Sequence, residues 1–248
     1  MSGKKVLIDG HRGNLDFVPE NTMDSFRSAV GLGVDAVETD IHLSSDNALV
    51  LIHDHTVDRT TDGTGLVREK TFEELEALNA GTAEHPAKIP TLREFLEYCA
   101  GVPELIVILE VKVYKNDEGA EKVAYAVDET VKLCEELGLC DRVIFNSFDA
   151  YVLEYLYKTY GKRFRIEGFY PFSVMENVTV DPAEYIDSAC YWAKGEEAKR
   201  ICSELKEMGA EPWVSNVDED GFFEAVALGC TMVTHNDPAK AMRWRERL

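Results

Sequence analysis

The chain has 248 residues, 45% of them hydrophobic, and a formal net charge of -20. It carries enough apolar side chain for a full core and is longer than an ordinary domain, but it suits a single α/β barrel. The acidic balance argues against nucleic acid or an anionic membrane surface as a bulk partner, yet it leaves room for a small anion held by a local group of cations.

The start, MSGKKVLIDG, runs from two lysines into a strand, with no apolar stretch long enough for a signal peptide. The longest aliphatic run, Leu105–Leu109, is too short to span a bilayer. A cytoplasmic protein without membrane insertion is expected. The six cysteines show neither CxxC nor zinc-type spacing and read as buried free thiols. Strand-like runs fall at 5–10, 35–42, 105–113 and 142–147, with fainter ones at 163–169, 188–192, 212–217 and 231–235. Helical patterns lie between them at 22–31, 91–100, 119–137, 149–160, 195–208, 219–228 and 237–246. A further helix around 171–178 is weak enough to be only a turn. Gly31, Gly33, Gly138, Gly161, Gly209 and Gly229 sit where helix C-caps belong. Eight strands alternating with helices predict a TIM (β/α)8 barrel; an open doubly wound sheet is the alternative, and no GxGxxG supports it. Residues 44–90 break the alternation with a return strand (ALVLIHD), a Gly/Thr-rich loop (DRTTDGTG) and a short helix (TFEELEALN). They read as an insertion after the second barrel strand, within one domain spanning 1–248.

Side chains alternate faces along a strand, so Glu38 and Asp40, with His42 beyond them, share one side, and Glu110 and Lys112 do the same. Both pairs lie toward the C-terminal ends of their strands, the rim where barrel enzymes hold their active sites. His11 and Arg12 follow the first strand at that rim. The run SSDN between IHL and ALVLIHD signals a turn. A tight turn on Ser45-Asp46 pairs Ser44 with Asn47, sets Glu38 opposite His53 and folds His53 over the carboxylates. Glu38, Asp40, Glu110, His11, His53, Arg12 and Lys112 are therefore expected in one pocket. Carboxylates so close repel one another unless a cation joins them. All-oxygen ligation favours one divalent Mg2+ or Ca2+ over Zn2+. A single negative charge then remains, which Arg12 and Lys112 more than balance, and that suits an anionic substrate such as a phosphate ester. Two histidines can divide general acid and general base work.

The stretch HRGNLDFVPENTMDSFRSAVGLGVDAVETDIHLSSDNALVLIHDHTVDRTTDGTG closely resembles the glycerophosphodiester phosphodiesterase family. His-Arg-Gly, Pro-Glu-Asn-Thr, Glu-x-Asp, His-Asp and Arg-Thr-Thr carry the likeness, which continues through IPTLREFLE, LEVKV, VIFNSF and PWVSNV. The resemblance implies a metal-dependent enzyme on a TIM barrel. Its activity would be hydrolysis of glycerophosphodiesters to sn-glycerol 3-phosphate and an alcohol. Carried over by position, it implies His11 and His53 as the acid/base pair and Glu38, Asp40 and Glu110 as metal ligands. Arg12 and Lys112 would contact the phosphate, with Phe148 and Trp213 as apolar walls for the glycerol carbons. It also implies attack on phosphorus by the neighbouring glycerol hydroxyl, through a cyclic phosphate that water then opens. The family usually ends its last strand with a Thr-Asp-x-Pro motif, where this chain has THNDP at 234–238.

Plainer roles compete at several positions. His42 suits a solvated or supporting role, His55 and His85 suit the surface, and His235 is open between substrate contact and structure. Asn21 reads as an N-cap, with a role in the site as the alternative. Other functions compete too. A phospholipase D acting on lysophospholipids needs an apolar groove or membrane-facing helix, of which the sequence gives no sign. A glycoside hydrolase would use paired carboxylates but leave Arg12, Lys112 and both histidines unexplained. A binding module would need none of the catalytic positions that are filled here.

Overall fold

Alternating apolar runs and helical stripes give a regular series of elements in the computed structural model, which describes residues 5–248. Residues 1–4, the start of the expected 1–248 unit, lie outside it. Strand β1 (Leu7–Gly10) leads to α1 (Met23–Leu32) and β2 (Ala36–Leu43). From there β3 (Leu49–Leu51) turns back, and α2 (Phe72–Glu76) and α3 (Leu92–Ala100) precede β4 (Ile106–Val111). The chain continues through α4 (Lys115–Glu118), α5 (Ala120–Glu136), β5 (Val143–Asn146), α6 (Ala150–Tyr160) and β6 (Arg165–Phe169). It ends with β7 (Ser188–Tyr191), α7 (Gly195–Met208), β8 (Glu211–Ser215), α8 (Glu219–Ala227), β9 (Met232–His235) and α9 (Pro238–Arg245).

Strands β1, β2 and β4 to β9 are all parallel, and β1 closes the ring by pairing with both β2 and β9. This is the expected TIM barrel, with every strand within a residue or two of its sequence-based bounds. Alternation divides each strand between two cores. Outward residues such as Val37, Leu109 and Phe145 pack under the helices. Inward residues Ala36, Ile108, Ile144, Trp213 and Met232 fill the lower barrel. Above them the interior turns polar, with Asp9, Glu38, Asp40, Glu110, Asn146 and Glu167 all buried. An apolar plug below and carboxylates above place the chemistry at the C-terminal rim. Between β6 and β7 there is no α-helix, only short 3-10 turns at Phe172–Val174 and Pro182–Glu184. The weak pattern at 171–178 is therefore a turn.

Three local expectations need correction. The N-cap of α1 is Thr22, whose hydroxyl accepts from the Ser25 N–H at 3.2 Å, rather than Asn21. Gly31 lies inside α1, and Gly33 is the residue that closes the helix in the left-handed conformation. The β2–β3 hairpin is shifted by one residue from the expected register. Ile41 faces Leu51, and Ser44 bonds Ala48 around a three-residue loop in which Asn47 takes φ +68°. The sequence SSDN gave no means of telling a two-residue loop from a three-residue one ending in a left-handed Asn. The next segment has a small core of its own, in which Val57, Val67, Leu75 and Ile89 pack against Val50 and Ile52. Its helix α2 starts on a capping box between Thr71 and Glu74.

Candidate active site

The loop after β1 sets the first two side chains. Arg12 takes φ +50° and Gly13 φ +90°, and a Cβ on Gly13 would lie 2.4 Å from Ser25 Oγ, so only glycine fits there. The turn is fixed from inside: Ser25 Oγ donates to the Arg12 carbonyl at 2.9 Å, and the Arg12 N–H donates to Glu38 Oε2 at 2.9 Å. His11 is consequently held at the rim with Nε2 4.0 Å from Glu38 Oε2. Its Nδ1 is 2.6 Å from Asn236 Oδ1, an acceptor that requires the proton on Nδ1 and leaves the Nε2 lone pair free. Burial and the neighbouring Arg12 charge lower the His11 pKa to about 4.

Glu38 and Asp40 on β2 and Glu110 on β4 face inward in adjacent register, and one oxygen from each lies within 4.8 Å of the others. Glu38 Oε1, Asp40 Oδ1 and Glu110 Oε1 are all buried, and Glu38 Oε1 has no hydrogen-bond partner. The second oxygens of Glu38 and Asp40 are taken, by the Arg12 N–H and by Asn21 Nδ2 at 2.8 Å. Lys112 Nζ stands 3.2 Å from Asp40 Oδ1 and pairs with Glu110 Oε1. The Arg12 Nε is 3.4 Å from Asp40 Oδ2. Burial opposes ionisation of Asp40, but Lys112, His53 and Arg12 hold its carboxyl below the usual range. Burial and the charges of Asp40 and Glu110 push Glu38 well above that range, and burial raises Glu110 despite Lys112. Carboxyls driven apart in this way share too little positive charge. Three buried carboxylate oxygens, all hard donors and mutually close, with the one ammonium of Lys112 shared between two of them, fit a divalent cation.

His53 reaches the same cavity by a route other than the expected one. β3 stops at Leu51, and His53 sits in the bend beyond it, so the slipped hairpin register does not carry it to the other face. Its Nδ1 lies 2.7 Å from Asp54 Oδ1, and Arg59 grips that carboxylate with Nε and Nη2 at 2.7 and 2.9 Å. His11, Arg12, Glu38, His53, Glu110, Lys112 and Phe148 all line one cavity of about 250 Å³. Asp40 completes the carboxylate group just behind its wall.

Trp213 does not join them. It is 1% exposed, packs in the lower barrel and donates from Nε1 to Thr231 Oγ1 at 2.9 Å, because inward alternation on β8 drops it one layer below Ser215. The aromatic wall is Phe148, Phe169 and Trp192 instead. Phe148 and Phe169 stack with centroids 3.7 Å apart, and Trp192 lies 5.8 Å from Phe169 and is 47% exposed. His235 is buried, with Nε2 donating to the Val217 carbonyl at 3.2 Å. His42 is buried too and reaches the His53 carbonyl at 3.2 Å, and His55, expected at the surface, packs half-buried against His42 and Tyr114. Asn21 is a supporting residue of the site rather than a cap: besides Asp40, it accepts from Thr39 Oγ1 at 2.8 Å. Sequence reasoning passed over Asn236, Asp54 and Arg59, although Asp54 and Arg59 lie inside the His-Asp and Arg-Thr-Thr patterns.

The family model of the "Glycerophosphoryl diester phosphodiesterase family" matches residues 11–170, well over half of the chain. The protein belongs to this family. Among relatives of this phosphodiesterase family member, a glycerophosphodiester phosphodiesterase of Caldanaerobacter subterraneus subsp. tengcongensis is 40% identical over 153 residues, 60% of either chain. Glycerophosphodiester phosphodiesterase 1 of Homo sapiens is 42% identical over 128 residues, 48% of this chain and 38% of that one. In both, the match spans less than two thirds of the relative's own length. The family fold extends through the whole barrel. A glycerophosphodiester phosphodiesterase from Parabacteroides distasonis superposes with a TM-score of 0.81 at 20% identity, over 99% of each chain. An Oleispira antarctica phosphodiesterase, solved in complex with the product sn-glycerol-3-phosphate, gives 0.81 at 22% identity over 97% of this chain and 96% of that one.

Proposed function

We propose that the protein hydrolyses glycerophosphodiesters to sn-glycerol 3-phosphate and an alcohol, with one Mg2+ or Ca2+ held by Glu38, Asp40 and Glu110. The observation that carries this reading is the trio of buried, converging carboxylates at one cavity that two histidines and two cations also line. Family membership, the names of the relatives and the product bound to the Oleispira antarctica enzyme support the substrate class. The bound ion would supply charge for the phosphoryl oxygens and lower the pKa of a nearby hydroxyl.

The side chains have separate tasks. Arg12 and Lys112, already set among carboxylates, hold the phosphate by charge-assisted hydrogen bonds. His11, neutral at physiological pH and protonated on Nδ1, takes a proton at Nε2 from the glycerol hydroxyl next to the phosphate. That oxygen bonds to phosphorus, closing a cyclic phosphate, while the bond to the departing alcohol breaks. His53, whose Nδ1 is backed by Asp54, gives that alcohol its proton. Water then opens the ring with the two histidines reversing roles. Phe148, Phe169 and Trp192 shield one wall from water. The six unbridged thiols fit the reducing compartment expected for the protein. Metal-stripped protein assayed on glycerophosphocholine and glycerophosphoethanolamine should release glycerol 3-phosphate only when Mg2+ or Ca2+ is returned. No release from any glycerophosphodiester with either ion would reject the reading.

A further inference from the structure

The bend that carries His53 has little backbone support of its own. The β2–β3 ladder ends where Ile41 faces Leu51, and one further bond follows it, from the Ile52 N–H to the Asp40 carbonyl at 3.2 Å. Among the described residues no backbone N–H donates to the His53 carbonyl. That carbonyl accepts from His42 Nε2 at 3.2 Å instead, and because a carbonyl only accepts, the bond places a proton on Nε2. His42 follows Asp40 on the same face of β2 and is 2% exposed, but it is not among the residues that line the cavity.

A second contact acts on the same bend. The His42 ring meets His55 edge-on, with centroids 5.0 Å apart at 83°, and His55 in turn meets Tyr114 at 5.3 Å and 69°. His42 therefore touches the chain on either side of Asp54, the partner of His53 Nδ1. Arg59 grips Asp54 from the solvent side, which leaves His42 as the brace from within the fold. Burying an imidazole is unfavourable unless it is hydrogen-bonded, and an apolar side chain would fill this layer of β2 without that demand. The strand that aims Asp40 at the cation site thus also fixes the backbone of His53.

We infer that His42 is a positioning residue: by tying the His53 carbonyl to β2 it holds the His53 imidazole where it can protonate the departing alcohol. The inference rests on the proposed reaction, in which His53 is that acid, and adds to it the residue that sets the acid in place. His42 acts through His53, apart from substrate and cation. A misplaced acid slows only a step that needs its proton. The alkoxide of choline leaves poorly without one, whereas nitrophenolate leaves readily unaided.

The test is single-turnover release of the alcohol, with the full chain and Mg2+ in excess, from two esters of sn-glycerol 3-phosphate. One carries choline and the other 4-nitrophenol, so both keep the attacking hydroxyl and differ in their need for a proton. His42→Phe, which keeps a ring against His55 but offers no donor, should slow choline release by about 10- to 100-fold. Nitrophenol release should fall by less than about threefold. His42→Gln, whose amide nitrogen lies as many bonds from Cα as Nε2 does, should recover most of the choline rate. In both variants Mg2+ should raise the melting temperature as it does in wild type, since the carboxylates are unchanged. Should His42→Phe fail to fold, His42→Leu replaces it with the same pattern expected. Equal loss on both esters, no loss on either, no recovery with glutamine, or a vanished Mg2+ response would overturn the inference. Failure of the underlying function looks different. In that case wild type would release no glycerol 3-phosphate from any glycerophosphodiester, whereas failure of the His42 inference alone leaves that release intact.

Discussion

Arg59 holds both carboxyl oxygens of Glu20, through Nη1 at 2.8 Å and Nη2 at 2.7 Å, and so ties the segment after β3 to the loop after β1. The same guanidinium grips Asp54, the partner of His53, while Glu20 also accepts from Arg12 at 2.9 Å. One exposed side chain thereby steadies both His53 and Arg12. Replacing Arg59 with alanine should lower kcat by about 10- to 100-fold while leaving the melting temperature within a few degrees, as expected for lost positioning. Lysine should restore little, because it offers a point charge where a planar fork is used. Full activity of Arg59→Ala in a steady-state assay would show that His53 and Arg12 need no such support.

Metal binding should be visible without turnover. A cation at a hundred times its Kd stabilises the folded state by about 2.7 kcal/mol, so Mg2+ or Ca2+ should raise the melting temperature of stripped protein. Glu110→Gln removes one of the three converging carboxylates as a charged ligand and should abolish most of that rise. A rise of equal size in the variant would move the ion away from this trio.

Asp9 should make stability depend on pH in the direction opposite to most carboxylates. Its folded pKa, raised by burial to about 7, lies above the ordinary value of 3.8, so the folded state keeps a proton that the unfolded chain releases. The stabilisation is complete below the unfolded value and is lost as pH rises through about 7. Asp9→Asn should therefore be more stable than wild type at pH 8, by on the order of a few kcal/mol, and gain nothing at pH 4. Urea denaturation at the two pH values would measure this; a gain that does not change with pH would contradict it.

Trp192 and Trp213 should separate cleanly. Trp213→Ala empties part of the lower barrel and should cost about 3–5 kcal/mol of stability. Trp192→Ala, at the exposed edge of the aromatic stack, should change KM several-fold with little effect on melting. The reverse pattern in parallel melts and kinetics would return Trp213 to the site wall.

Much of this was legible in the sequence because strand alternation and barrel closure act on every strand alike. Glu38, Asp40, Glu110 and Lys112 could be put on inward faces from parity alone, and the rim position followed from their place near strand ends. Trp213 failed because alternation was not followed inside its own strand: it lies within the expected run 212–217, and inward parity puts it one layer below Ser215. The hairpin register failed because Asn47 adopts a left-handed conformation that SSDN does not specify. His53 reached the cavity all the same, since the ladder ends before it. Asn236 and Trp192 were hidden because their roles depend on the contact between the first and last strands and on loop direction, neither of which has a local signal.

The groups that would handle protons, cation and phosphate all lie between His11 and Lys112, with Asn236 as their one remote support, whereas Phe148, Phe169 and Trp192 come from the second half of the chain. Heritable variation can thus revise which alcohol is accepted while the reactive half stays intact. A hybrid that keeps the first four barrel strands and borrows the later loops from a relative should inherit that relative's taste in substrates along with this protein's own chemistry.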